Sequence, residues 1–211
     1  MDIQKIRNIH PREPQPGLIN EAAAIIRRGG VVGFPTRCLY GLGADALNPE
    51  AVDRIFELKQ RPADNPILVL IDHISQLEKL VKRIPALATD LVDKFWPGKI
   101  TLVFEAAEKL PVNLTAGSGK IGVRMPGHAA ARALVNAVQA PITGTSANLS
   151  GKPGCHRIND LEPQIARGLD LILDAGDLKG GAGSTVVDVS TNRLQIIREG
   201  AVPAQELNLL L

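Results

Sequence analysis

Lys59-Gln60-Arg61-Pro62-Ala63-Asp64-Asn65-Pro66 joins a helical pattern over residues 51–58 to an uninterrupted apolar run over residues 67–71. Each proline removes an amide donor and pushes the residue before it out of helical space, so the helix must end here. The apolar run behind Pro66 reads as a buried strand. Lys59 and Arg61 therefore stand on a stiff corner between a helix and a core strand. Two readings of that corner are open. The cations complement the dipole at a helix C-terminus, or they hold a polyanion that must be positioned and not merely attracted.

Working outward, the rest of the chain alternates helical and strand patterns. Residues 1–17 are polar and proline-rich and read as an arm leading into one domain over residues 18–211. An amphipathic stretch over 18–28 closes on Gly29-Gly30 as a helix end, and 31–34 follows as a strand. Residues 36–43, with Gly41 and Gly43, read as a loop with close backbone approach. Helices are expected over 74–84, 86–95, 127–138 and near 160–168. Strands are expected over 100–104, 121–125, 141–143, 171–173, 185–189 and 194–198. The alternation, with no low-complexity break, points to one α/β domain with some antiparallel pairing.

Composition sets further bounds. The 211 residues carry 45% hydrophobic and 22% charged residues, enough for a substantial core. Aromatics at 3% argue against a binder that stacks bases on exposed rings, and a net charge of +2 is no signature of a general DNA binder. Cys38 and Cys155 form no metal-ligand or disulfide pattern, so no metal site is expected. The N-terminus lacks the apolar stretch of a signal peptide, and no run is long enough for a membrane span, so the expected setting is cytoplasmic.

Common catalytic classes fall away. Gly117-Ser118-Gly119-Lys120 lacks the first glycine and the final Ser/Thr of a phosphate-binding P-loop. No two of the four histidines sit i, i+4, and Ser146 is outside a G-x-S-x-G elbow. What remains is a set of anion ligands on separate segments. Lys59 and Arg61 are on the corner. Ser146 and Asn148 alternate around Ala147 on a glycine-flanked turn, which by itself reads more readily as an ordinary loop or cap. Arg124 and Arg198 end otherwise apolar strands, where an arginine is paired or ligand-bound.

Taken in order, the motifs resemble one family. They are Pro35-Thr36-x-x-x-Tyr40-Gly41-Leu42-Gly43, Lys59-x-Arg61-Pro62-x-x-Asn65-Pro66, Trp96-Pro97-Gly98 and Val123-Arg124-x-Pro126. Thr145-Ser146-Ala147-Asn148-x-Ser150-Gly151, Ser184-Thr185-Val186-Val187-Asp188 and Ile197-Arg198-x-Gly200 complete the set. The pattern is similar to the YrdC/YciO family over roughly residues 18–200, in its short form without a second C-terminal domain.

That resemblance implies a twisted mixed sheet with helices around a large basic cleft. It implies a nucleotidyltransferase that makes threonylcarbamoyl-AMP and pyrophosphate from L-threonine, bicarbonate and ATP, with Mg²⁺ carried in by the nucleotide. The product would go to the proteins that transfer threonylcarbamoyl to tRNA. Lys59, Arg61, Ser146 and Asn148 match the family's catalytic set. Arg61, Asn65, Lys120, Ser146 and Arg198 match its ATP contacts, and Thr36, Arg124 and Ser184 its threonine contacts. Arg37, Cys38, Leu70 and Gly183 depart from the usual pattern, all toward the amino-acid side. The alternative is a non-catalytic relative that holds double-stranded RNA or tRNA in the same cleft.

Overall fold

The computed structural model describes residues 3–191 and 193–208; residues 1–2 of the expected arm, and 192 and 209–211 of the expected domain, lie outside the described residues. In chain order the strands are β1 (Ile6–Asn8), β2 (Val32–Pro35), β3 (Tyr40–Gly43), β4 (Val69–Leu70), β5 (Ile100–Glu105) and β6 (Lys120–Arg124). They continue as β7 (Ile142–Thr143), β8 (Thr145–Ser146), β9 (Leu171–Asp174), β10 (Thr185–Asp188) and β11 (Gln195–Arg198). The helices are α1 (Pro16–Arg27), α2 (Pro49–Lys59), α3 (Ile74–Leu80), α4 (Ala86–Phe95), α5 (Val112–Thr115), α6 (Ala129–Val138), α7 (Pro163–Gly168) and α8 (Ala204–Asn208).

The mixed α/β character holds, and the strands divide into two sheets. One runs β1-β9-β2-β3-β8 and the other β11-β10-β5-β6-β4-β7, each with parallel and antiparallel neighbours. Ile6–Asn8, within the stretch expected as an arm, pairs in parallel with β9 as an edge strand. β4 is shorter than the 67–71 run suggests, held between β6 in parallel and β7 antiparallel.

The expected loop over 36–43 is half strand. β3 pairs antiparallel with β2, in the register Phe34↔Gly41. Its glycines serve packing: a Cβ on Gly43 would meet the Phe34 ring at 3.0 Å, and one on Gly41 at 3.2 Å. The true loop is Thr36–Leu39, where the Thr36 amide and hydroxyl both donate to the Leu39 carbonyl, at 3.1 and 2.5 Å.

Small residues set the helix packing. α1 presents Ile19, Ala22, Ala23 and Ile26 inward and lies against α6, whose inward face is Ala130, Ala131, Leu134, Val135 and Val138. Alanines facing alanines let the two helices approach closely over the back of the first sheet. Apolar side chains of both sheets and of α2 and α4 fill the main core. Among the described residues no helix is long and apolar enough to cross a membrane.

One buried polar knot ties the first sheet together. The Tyr40 hydroxyl donates to Gly176 O at 2.7 Å, lies 2.9 Å from Asp174 Oδ1 and accepts from the Ala175 amide at 3.0 Å. Burial, with Asp174 close by, holds the phenol above its ordinary pKa and keeps it protonated. Replacing Tyr40 with Phe removes the donor to Gly176 O and the acceptor of the Ala175 amide, while Asp174 Oδ1 keeps the Gly176 amide, and should cost about 0.5–1.5 kcal/mol, read from the urea midpoint.

Candidate active site

The cleft begins where α2 ends. Gln60 takes the left-handed conformation (φ 49°, ψ 46°), and the Gln60 and Arg61 amides close the last turn on Glu57 and Phe56. Lys59, on that last turn, is 1% exposed. Its ammonium does not face the helix carbonyls. It donates to Ser146 O at 2.5 Å and Asn148 O at 2.7 Å, with Asn148 Oδ1 at 3.4 Å. The Lys59 carbonyl accepts from the Ser150 amide at 2.8 Å, so the helix end and the 146–150 turn are stitched in both directions.

Asn148 is the second half of that stitch. Its Nδ2 donates to Leu149 O and Lys152 O, both at 2.7 Å, while its Oδ1 accepts from the Ser146 hydroxyl. The i, i+2 alternation does bring Ser146 and Asn148 together. Only Ser146 lines the cleft; Lys59 and Asn148 lie behind it. Burial draws the Lys59 pKa down to about 7, with the Arg61 charge adding to the fall.

Arg61 faces the opening. Its Nε donates to Asn65 O at 2.8 Å, and Nη2 to Asn65 Oδ1 at 2.8 Å and Pro66 O at 2.7 Å. The two prolines make this corner stiff, and the corner itself orients the guanidinium. Asn65 is thereby a holder of Arg61 as well as a lining residue.

The opposite wall comes from the second sheet. Lys120 opens β6 and pairs with Asp188 at 2.7 Å. Asp188 keeps a lowered pKa although burial opposes this, because Lys120 and Ser190 both bond to it. Arg124 ends β6, and its Nε donates to Gly98 O at 2.7 Å. The Gly98 amide in turn donates to Met125 O at 2.9 Å, so the Trp96-Pro97-Gly98 corner, with a cis Trp96–Pro97 bond, frames the arginine. Burial lowers the Arg124 pKa to about 10, with Arg37 and Arg198 acting in the same direction.

Ser184 is 3% exposed, and its hydroxyl lies 2.7 Å from that of Thr101 on β5. Arg198 on β11 donates to Ser184 O at 2.9 Å. Gly200 allows this close approach, since a Cβ there would fall 2.5 Å from Gly183 O.

Thr36, Arg61, Asn65, Lys120, Arg124, Ser146, Ser184 and Arg198 thus share one cavity of about 540 Å³ between the two sheets. Arg37, Lys99 and His128 also line it, and no carboxylate does among the described residues. His128 was legible only as a surface histidine. It caps α6 by accepting the Ala130 amide at 3.2 Å, and burial lowers its pKa. A histidine just before an alanine-rich helical run was the available signal.

The lining carries six cationic side chains, Arg37, Arg61, Lys99, Lys120, Arg124 and Arg198, together with the hydroxyls of Thr36, Ser146 and Ser184, a set that suits an anionic ligand. The described residues contain no cluster of three or more His, Cys, Asp or Glu suited to a metal. An ion accompanying a nucleotide would be held by the phosphates themselves.

The Lys59 stitch is testable through pH. In the unfolded chain the ammonium titrates near its ordinary 10.5, in the folded chain near 7. Between those values the unfolded state binds more protons, so this group makes stability rise with pH and withholds that gain at pH 7 and below. Lys59→Met removes the titration and leaves the Asn148 carbonyl without its donor, at about 1–3 kcal/mol, while Ser146 O keeps the Asn148 amide at 3.0 Å. Urea midpoints should show the wild-type advantage over Lys59→Met widening as pH climbs from about 7 toward about 10.

Comparison with known proteins agrees with this architecture. The Sua5/YciO/YrdC family profile, described as "Telomere recombination", matches residues 24–200. A threonylcarbamoyl-AMP synthase of Pyrococcus abyssi is 42% identical over 189 residues, covering 90% of this chain and 56% of the relative. One from Bacillus subtilis is 41% identical over 194 residues, covering 90% and 55%. The structure of P. abyssi Sua5 complexed with L-threonine superposes with a TM-score of 0.90 at 40% identity, covering 98% of this chain and 60% of that one. The chain spans about half the length of these curated relatives. With a profile that runs through the α2 corner, the Ser146–Asn148 turn and the Arg198 strand, the chain belongs to the Sua5/YciO/YrdC family.

Proposed function

We propose that the chain is a threonylcarbamoyl-AMP synthase, a nucleotidyltransferase taking L-threonine, bicarbonate and ATP to threonylcarbamoyl-AMP and pyrophosphate. One observation carries the reading: a cleft with no lining carboxylate among the described residues brings together Arg61, Ser146, Lys120, Arg198, Arg124, Thr36 and Ser184. We assign the first four to phosphates and the last three to an amino acid. The names of the two relatives, both threonylcarbamoyl-AMP synthases, support this choice of product.

In this reading a carbamate oxygen formed on the threonine amine attacks the α-phosphorus while pyrophosphate leaves on the opposite side. The step needs alignment and fixed positive charge more than it needs a protein nucleophile. Arg61, aimed by its Asn65 and Pro66 contacts, neutralises the charge on the transferring phosphate. The Ser146 hydroxyl reaches a phosphate oxygen by rotating away from Asn148. Lys120 and Arg198 draw on the outer phosphates, and Mg²⁺ enters with the nucleotide. Arg124 takes the threonine carboxylate on its terminal nitrogens, since only Nε is engaged.

Lys59 and Asn148 act from behind, keeping Ser146 at the cleft wall. The product would pass to proteins that transfer threonylcarbamoyl to tRNA in the cytoplasm.

Purified protein should release pyrophosphate only when ATP, threonine and bicarbonate are all present. Arg61→Ala should slow release by about 10²–10³, the usual cost of one preorganised charge donor. Arg124→Gln should mainly raise the threonine requirement, by about tenfold or more. Release that ignores threonine would contradict the assignment of the amino-acid end. RNA affinity that survives loss of Ser146 and Asn148, without pyrophosphate release, would favour the RNA-binding alternative.

A further inference from the structure

We propose that Thr185 is a positioning residue for Arg198: its one hydroxyl holds the strap of residues 200–202 against β10 and so sets where the Arg198 guanidinium stands in the cleft. This rests on the assignment of Arg198 to the phosphates of a nucleotide.

Thr185 is fully buried at the head of β10. A hydroxyl has one proton to give and two lone pairs to fill, and here all three serve one short segment. Thr185 Oγ1 donates to Val202 O at 2.7 Å and accepts from the Gly200 amide at 3.0 Å and the Val202 amide at 2.9 Å. Between them the Ala201 amide donates to Gly183 O at 2.9 Å. The strap lies so close that a Cβ on Gly200 would fall 2.7 Å from Ser184 O. Ala201 lines the cleft, and Val202 is buried in the main core.

The strap begins two residues after Arg198, where the sheet itself gives little guidance. The β10–β11 pairing steps from Val187↔Ile196 to Val186↔Arg198, so Ile197 has no partner and the register shifts just before the arginine. β11 then ends at Arg198. The Arg198 side chain is held by one bond, from Nη2 to Ser184 O at 2.9 Å. Its backbone therefore stands between an irregular pairing on one side and the three bonds to Thr185 on the other. Without the hydroxyl, two amides and a carbonyl lose their partner where water does not reach, and the strap must shift to find others. A displacement of about 1 Å takes a guanidinium out of line with a phosphate oxygen, and misplacement of that size costs up to about a hundredfold. The hydroxyl and not the bulk of the side chain carries this role. Valine keeps the shape without the bonds, and serine keeps the bonds.

The test is calorimetric titration of the full chain with a non-hydrolysable ATP analogue, without threonine. Arg198→Gln should weaken binding by about tenfold or more. Thr185→Val should weaken it in the same way, and the double variant should bind no worse than the weaker of the two singles. Thr185→Ser should stay within about threefold of wild type. Gly200→Ala presses the strap away from Gly183 without touching Thr185. It should show the same non-additivity with Arg198→Gln, which decides the matter if Thr185→Val does not fold; matching circular dichroism checks each variant. A merely structural Thr185 would lower the urea midpoint of Thr185→Val yet leave analogue affinity unchanged, or add its loss in full to that of Arg198→Gln. Either result, or unaltered binding in Arg198→Gln, would overturn the proposal. Intact coupling without pyrophosphate release would instead count against the synthase reading alone, and a wild-type chain that does not bind the analogue would overturn both.

Discussion

A buried ammonium has to find oxygens, and in this protein the Lys59 ammonium finds them on one short turn. Removing a cation from water costs far more than a few weak contacts return, so the carbonyls of Ser146 and Asn148 must be held where Lys59 can reach them. The reverse also holds. Without Lys59 the Asn148 carbonyl would lose its donor and Ser146 O would keep only the Asn148 amide, so the turn that fixes the Ser146 hydroxyl on the cleft wall would loosen. The turn belongs to the first sheet through β8, while the helix end leads directly into β4 of the second. One side chain therefore ties together the two layers whose gap is the cleft.

The two sheets then divide the work. The first contributes short, rigid elements: the Thr36–Leu39 loop, the glycine strand β3 and the Ser146 turn. The second contributes long cationic side chains at strand ends, from Lys120, Arg124 and Arg198. Placing flexible charges opposite a stiff polar wall suits a reaction that aligns two anions and stabilises the charge between them. The charges come in two groups. Arg61 and Lys120 are oriented by neighbours within the protein, through Asn65 and Asp188. Arg124 and Arg198 are each held by one bond to a backbone carbonyl, Gly98 O and Ser184 O.

Much of this was legible in the sequence because it rests on local rules. Pro62 and Pro66 announced the corner, Gly29-Gly30 the end of α1, and apolar runs β5, β6 and β10. The i, i+2 spacing of Ser146 and Asn148 correctly put their side chains in contact. What the sequence left open depends on distant partners. Nothing local says that Lys59 turns inward and Arg61 outward, because the oxygens that draw Lys59 in lie 87 and 89 residues away. Gly41 and Gly43 looked like loop residues, since a sequence shows their freedom but not the Phe34 ring they make room for. Ile6–Asn8 carries too short a pattern to be read as a strand; β9 supplies its pairing from the far end of the chain.

Amide hydrogen exchange across the 146–150 turn tests the central dependence most directly. The Ala147 and Ser150 amides donate to Tyr40 O and Lys59 O, so they report whether the turn is held. In the wild-type protein both should exchange slowly and become slower still with a non-hydrolysable ATP analogue. In Lys59→Met both should exchange at least about tenfold faster while β5 and β6 keep their protection, and the analogue should restore little. Unchanged protection of Ala147 and Ser150 in Lys59→Met, with the analogue bound as tightly as before, would contradict the account.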